Sequence, residues 1–301
     1  MTQVSTRREL LRRGLALGAV AVGGPAVLSA CGVGGGEDGA AGPAEVTYEA
    51  AKKSKNIKVG FANEAPWAFL DKDGKLTGYA PAVAREVLKN LGIEKVEGVV
   101  SDFNKLIDGV NAKQYAMVAA GMFINPERCE KSAFAIPDYQ VGSAFMVPEG
   151  NPKGITRFED ITKNKVKIAT LGGAVENEYA KSAKVPDNLI EPMDKQDDIL
   201  RAVENGDVYG AAILDVTAEW LVKNNPDAGL EVTESFNFTE GKPDVGTFNF
   251  RTGDTAFLED FNRELKKLHE SGKWLELAEP FGLTEANDTK GELTAEEYCK
   301  A

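Results

Sequence analysis

From about residue 56 onward the chain alternates short apolar runs with amphipathic stripes. Ile57-Lys58-Val59-Gly60-Phe61-Ala62 predicts a strand, followed by a polar loop with Pro66 and an Asp71-Lys72-Asp73-Gly74 turn. Ala80, Val83, Ala84, Val87, Leu88 and Leu91 recur at three- and four-residue spacing, the stripe of an amphipathic helix. Val96 to Val100 returns to strand character, Leu106 to Val110 to helix, and Met117-Val118-Ala119-Ala120 to a buried strand. The pattern then restarts. Phe145-Met146-Val147 predicts a strand leaving the first unit and Val166 to Thr170 the first strand of a second. A helix is expected near Val175, another over Ile199 to Val203, a strand over Val208 to Leu214 and a helix over Val216 to Lys223. A strand at Val245 to Phe250 leads into a long helix with Phe257, Leu258, Phe261, Leu265 and Leu268 on one face.

Strands that alternate with helices imply parallel sheets. Two α/β units of roughly 100 residues follow, with the chain crossing between them near 144–149 and 240–246. The expected arrangement is two lobes around a cleft with a double-crossover hinge, residues 56–143 plus 246–301 forming the first lobe and 144–245 the second.

The first 30 residues follow a different pattern. Arg7, Arg8, Arg12 and Arg13 precede an uncharged run from Gly14 to Ala30, too rich in Gly and too short for a membrane span of about 20 apolar residues, so it reads as a signal peptide. Leu28-Ser29-Ala30-Cys31 resembles a lipobox and the paired arginines resemble a twin-arginine export signal, which together imply a lipid on Cys31. Residues 31–55 are expected to form a flexible tether. Acidic residues outnumber basic ones 47 to 35, a net charge of -12, and cleavage before Cys31 makes the balance more negative by three charges. That excess argues against nucleic-acid partners and against attachment to anionic lipid through charge. The three Cys and the single His are dispersed, so neither a metal site nor a cofactor is expected. In an exported chain Cys129 and Cys299 are candidates for a disulfide; two isolated thiols remain the alternative.

The stretch Gly121-Met-Phe-Ile-Asn-Pro-Glu-Arg-Cys129, followed by Phe134-Ala-Ile-Pro-Asp-Tyr139, resembles the family 3 solute-binding proteins of ABC importers. Gly74-x-x-x-Gly78, Phe158-Glu159-Asp160, Gly172-Gly173, Gly206-Asp207 and Gly272-Lys-Trp274 extend the likeness over about residues 56 to 285. The resemblance implies a type II periplasmic-binding-protein fold, a small zwitterionic ligand, ABC permease subunits as partners, a monomeric receptor and no catalysis.

Arg128 also stands on physical grounds. Asn125 suits a helix N-cap and Pro126 the first helical position, which puts Arg128 in an opening turn beside a strand end, where a guanidinium can grip a carboxylate bidentately. Where amino-acid binders commonly carry Thr after Gly-Met, this chain has Phe123. Trp67, Phe103 and Phe123 with the acid Glu64 can enclose a delocalised cation. Ala62-Asn-Glu-Ala-Pro66, Glu97-Gly-Val-Val100 and the Gly121 stretch resemble the ectoine and hydroxyectoine binders. Gly173 and Val175, at a helix start, are candidates to receive an anion through backbone N–H groups. Asp215 matches the acid that many amino-acid binders use for an ammonium group; its alternative is a helix cap.

Three function classes follow. The first is a lipid-anchored importer receptor for a zwitterion, ectoine or hydroxyectoine in one version and a polar or cationic amino acid in the other. The second is an enzyme on the same scaffold of the cyclohexadienyl dehydratase type, disfavoured because the candidate site offers no nucleophile pair and no metal set. The third, a sensor ectodomain, needs a spanning helix after the binding unit, and none is predicted before Ala301.

Overall fold

A computed structural model describes residues 46–237 and 243–300. Cys31, the leader and the tether up to residue 45 lie outside the described residues. The described part opens on α1 (Tyr48–Ser54), a correction to the expected tether. Sequence periodicity misses this helix because only Tyr48 and Ala51 are buried. It is fixed by the Thr47 cap, by stacking of Tyr48 on Phe257 at 4.4 Å, and by the Tyr48 hydroxyl donating to Asp260 at 2.8 Å.

The first lobe continues with β1 (Asn56–Phe61), a small hairpin of β2 (Phe69–Leu70) and β3 (Leu76–Thr77), α2 (Tyr79–Asn90), β4 (Lys95–Val100), α3 (Leu106–Asn111), β5 (Met117–Phe123), α4 (Pro126–Cys129), β6 (Ala133–Phe134) and β7 (Tyr139–Val141). The second lobe carries β8 (Ser143–Pro148), α5 (Phe158–Asn164), β9 (Ile168–Leu171), α6 (Val175–Ser182), β10 (Ile190–Met193), α7 (Gln196–Glu204), β11 (Gly210–Leu214), α8 (Asp215–Asn224) and β12 (Leu230–Val232). The chain then returns to the first sheet as β13 (Asp244–Phe250), followed by α9 (Thr255–Glu270), α10 (Lys273–Ala278) and α11 (Ala295–Cys299).

The first sheet has the order β4-β1-β5-β13-β6, with β7 also on β13; the second has the order β10-β9-β11-β8-β12. Neither is all-parallel, a second correction. β1 pairs in parallel with β4 and β5, whereas β13 runs antiparallel to β5; β8 likewise runs antiparallel to β11 and β12. The strands that cross between the lobes enter each sheet from the opposite end, and simple strand–helix alternation cannot register that reversal. β5 is buried at every position, as its unbroken apolar run requires of a central strand.

The forward crossing falls at Gly142, between β7 and β8, earlier than the sequence pattern placed it. Ser143 and Phe236 exchange backbone hydrogen bonds at 2.9 and 2.8 Å, so the outgoing and returning segments pair at the crossing. Asp215 accepts from the Gly142 amide at 3.0 Å and from the Ser235 hydroxyl at 2.5 Å. A Cβ on Gly142 would meet the Ser235 hydroxyl oxygen at 2.2 Å, so glycine is required for this close approach.

A disulfide joins Cys129 to Cys299 with Cα atoms 5.7 Å apart. It ties the C-terminal helix to α4, which carries Arg128 immediately before Cys129. His269 is buried, with Nδ1 2.6 Å from Asp288 and Nε2 3.2 Å from Asp138, and its ring stacks on Trp274. Burial pushes the imidazole down, but its hydrogen bonds and the charges of Asp138 and Asp288 outweigh that and leave it raised.

Two outcomes follow. Opening a link between residues 170 apart in sequence removes a loop constraint worth up to roughly 5 kcal/mol; the Cys129→Ser/Cys299→Ser variant should melt well below the parent, and reductant should reproduce the drop only in the parent. Because the folded-state value of His269 is raised, its contribution is complete below its unfolded value near 6.5 and fades as pH rises through the folded value. Denaturant melts from pH 6 to 9 should show this decline, and His269→Asn should flatten it while lowering stability at pH 6 by on the order of 3 kcal/mol.

Candidate functional site

One cavity lies where the carboxyl ends of strands from both sheets meet, the expected place for a ligand in open α/β architecture. The first lobe contributes Glu64 and Trp67 from the loop after β1, Phe103 from the turn after β4, Gly121 and Phe123 from the end of β5, and Arg128 from α4. The second contributes Val175 and Glu176 from the start of α6, Gln196 from the start of α7, and Leu214 and Thr217 around the start of α8. About 510 Å³ of non-atom space lies within and in front of the cavity, open solvent at its mouth included.

Each first-lobe side chain is held locally. Asn125 accepts from the Arg128 amide at 2.9 Å and Pro126 opens the turn, so α4 starts as its sequence dictates and directs Arg128 back over the strand end. The guanidinium donates to the Phe123 carbonyl at 2.7 Å and, across the cleft, to the Gly173 carbonyl at 2.8 Å. Its Cζ lies 5.5 Å from the centre of the Phe103 ring. Five N–H donors sit on a guanidinium, and these two bonds leave enough for a carboxylate. Burial pulls its pKa down, while Glu178 and Glu176 pull it back up, so it remains the cation of the site.

Trp67 is fully buried. Its ring packs 4.6 Å from Tyr139 and edge-on to Tyr79, and its indole N–H donates to the Thr217 hydroxyl at 2.7 Å across the lobes. Phe123 lies 6.3 Å from Tyr139, so Tyr139 backs two of the cavity aromatics. Gly121 has φ +65°, and an added Cβ would lie 2.6 Å from the Trp67 ring; the glycine is what lets the indole lie flat on the strand.

The acids are the least conventional part of the cavity. Glu64 is buried, its Oε1 has no hydrogen-bond partner, and burial with the nearby charge of Glu176 holds its carboxyl well above the usual range. Glu176 accepts from the Ser143 hydroxyl at 2.9 Å. Burial pushes it up to about 7 against the opposing effects of its own amide, Ser143 and Arg128. Gln196 donates from Nε2 to the Ala65 carbonyl at 2.7 Å and leaves Oε1 buried without a partner.

Of the residues expected from sequence, Glu64, Trp67, Phe103, Gly121, Phe123, Arg128 and Val175 line this cavity together. Asp215 and Gly173 do not. Asp215 is turned to the crossing, where the Gly142 amide, the Ser235 hydroxyl and the Val216 amide occupy its carboxylate. Gly173 gives its carbonyl to Arg128 and lies against Asn104 of the first lobe, where a Cβ would come within 2.8 Å of the Asn104 side chain. Glu176, Gln196 and Thr217 were missed. Glu176 directly follows the predicted Val175, and Thr217 sits two residues after Asp215 in the first turn of the same helix, so adjacency was an available signal for both. Gln196 carried none. Among the described residues no group of three metal-ligating side chains occurs, and no helix is long and apolar enough to cross a membrane.

A two-lobed α/β molecule with a cavity between its sheets has the architecture of a solute-binding protein. The chain belongs to the bacterial extracellular solute-binding proteins, family 3, whose sequence profile matches residues 57–284. It is 32% identical over 261 residues to a probable amino-acid ABC transporter periplasmic-binding protein of Sinorhizobium fredii, with 84% of this chain and 86% of that one covered. Among solved structures it resembles EhuB in complex with hydroxyectoine, with TM-score 0.77, 31% identity, and 83% and 96% of the two chains covered. It also resembles an ancestral arginine-binding protein bound to arginine, with TM-score 0.69, 26% identity, and 76% and 99% covered.

The close approach at Gly173 generates a direct test. Gly173→Ala adds a methyl where Asn104 already fills the space, at a φ of +80°. The variant should fold, close less completely and bind ligand at least tenfold more weakly, read by calorimetry and by small-angle scattering of the ligand-saturated protein.

Proposed function

We propose that this protein is the extracytoplasmic receptor of an ABC importer and that it captures a small zwitterion with a delocalised cation, ectoine or hydroxyectoine. The observation that carries the reading is the convergence of Glu64, Trp67, Phe103, Phe123 and Arg128 on one cavity. Three ring faces attract a planar cation whose charge is spread, Glu64 and Glu176 offer acceptors to its N–H groups, and Arg128 has donors left for a carboxylate. The likeness to EhuB supports the same choice. In this reading the receptor acts as a monomer without catalysis, delivers its ligand to permease subunits, and is held to the membrane by a lipid on Cys31. The Leu28-Ser29-Ala30-Cys31 run supports that anchor.

A polar or cationic amino acid is the second reading, favoured by the name of the Sinorhizobium fredii relative and by the extra acid Glu176. Calorimetry with ectoine, hydroxyectoine, arginine, glutamine and glycine betaine separates the two. Heat with the ectoines at micromolar to low millimolar concentration is expected, and its absence alongside a strong arginine signal transfers the assignment to the amino acid. Arg128→Ala should abolish measurable binding of either class. Phe123→Thr should weaken the ectoines by about tenfold, the scale of one lost desolvated ring–cation contact, without lowering the melting temperature appreciably.

A further inference from the structure

The cavity contains more hydrogen-bond acceptors than its reading as an aromatic cage with one acid requires. Glu64 Oε1 and Gln196 Oε1 are both buried and find no hydrogen-bond partner among the described residues. Glu176 fills the first turn of α6 from the opposite lobe and lines the same space. Two carboxylates and one free amide oxygen therefore share a cavity with a single guanidinium. A buried acceptor without a donor loses the hydrogen bonds it would make to water, and two facing carboxyl groups repel when both are ionised. An occupant that presents N–H groups on more than one edge removes both penalties at once; a quaternary ammonium, which has none, removes neither.

Building on the receptor reading above, we infer that Glu176 and Glu64 form a clamp, one acid from each lobe, that grips the ligand's cation by its N–H edges: Glu64 keeps its proton and accepts through its carbonyl oxygen, while Glu176 gives up a proton as the ligand enters. The covalent change is one O–H bond: the protonated Glu176 carboxyl passes its proton to solvent buffer, and the ligand cation replaces that proton as the carboxylate's partner. The environment of Glu176 suits this exchange. Ser143 of β8 donates to it, Arg128 of α4 lowers its proton affinity and Asp244 of β13 raises it, while Glu64 of the loop after β1, itself held protonated by burial and by the charge of Glu176, lies beside it. Tyr139 of β7 and Tyr179 of its own helix, the latter hydrogen-bonded to Asp244, also face it. In the empty cavity burial holds Glu176 near 7, so it is largely protonated at pH 6 and largely ionised at pH 8.

The linkage sign follows. A cation favours the ionised form, so affinity rises with pH, by about tenfold from pH 6 to 8 for a group that titrates near 7 when empty and well below 6 when occupied. Calorimetry of the whole mature protein in phosphate and in Tris, whose protonation heats differ, counts the protons. Close to one is expected to leave per ligand at pH 6 and close to none at pH 8. Ectoine and arginine serve as full ligands, acetamidinium chloride as a bare planar cation, and glycine betaine as the cation without N–H.

Glu176→Gln should keep the fold, lower affinity at pH 8 at least tenfold, and reduce the pH effect to under twofold. Glu176→Asp should retain the pH slope, which keeps the test decisive if the glutamine variant misfolds. Unchanged affinity and slope in Glu176→Gln, or an affinity in the parent that falls as pH rises, overturns the clamp while leaving the receptor reading intact. Acetamidinium that binds with Glu176-dependent proton release, when ectoine and arginine both fail, upholds the clamp and removes the ligand assignment. Failure of all three cations removes both.

Discussion

A guanidinium buried beside a strand end must be satisfied on every side, and that requirement organises the molecule. Arg128 is buried, so its donors need acceptors within the protein or on a ligand. One is the Phe123 carbonyl, available because β5 ends there; another is the Gly173 carbonyl, available only when the second lobe lies against the first. The same arginine is aimed by the Asn125 cap and anchored through the neighbouring Cys129 to the last helix. Its position serves the strand end and the lobe contact together, so in the proposed reading the ligand's carboxylate docks on a group whose geometry is already determined.

The crossing between the lobes obeys a second constraint. Gly142 passes so close to the returning segment that no side chain fits, and Asp215 bonds to both segments at that point. Ser143, the next residue, donates to Glu176. The cavity acid and the crossing are thus separated by a single hydrogen bond and a single peptide unit. Lobe-to-lobe contact elsewhere is also polar and directional, through Trp67 to Thr217 and Gln196 to Ala65. The same groups find water when they are not paired, so such bonds set the orientation of one lobe on the other while contributing modestly to its stability.

The sequence made the first lobe's half of the cavity legible because its residues sit in runs with strong local meaning. Asn125-Pro126 announces a helix start, and an aromatic in place of the usual hydroxyl residue at Phe123 announces a different ligand chemistry. The periodic stripe of α2 and the long face of α9 were equally plain. The second lobe was harder. Asp215 has the chemistry of a ligand contact, and only the tertiary path of the crossing shows that its carboxylate is already occupied. Gln196 opens a helix like many polar residues, and nothing local distinguishes it. The short helix α1 escaped because packing of one tyrosine, not periodicity, stabilises it, and the mixed sheets escaped because strand direction is decided by where the chain returns. His269, which in sequence lies in a charged stretch, is in fact buried between two aspartates.

The charge balance inside the cavity ties these strands together. With Glu64 and Glu176 both ionised, the site would hold two negative charges against the single positive charge of Arg128, in surroundings where burial makes each uncompensated charge expensive. An empty closed site must therefore retain a proton on an acid or admit water. In the proposed reading a ligand with one carboxylate and one cation adds no net charge and replaces the proton it displaces: its carboxylate sits on the arginine, and its cation sits between the acids and against the rings. Opposite charges then alternate through the cavity, each within reach of its partner, where otherwise a proton keeps two like charges from facing each other. The gain is greatest with the lobes together, since one acid belongs to each. Recognition of the cation and apposition of the lobes are in this sense the same event, and that coupling is what a receptor needs in order to present a different shape when loaded.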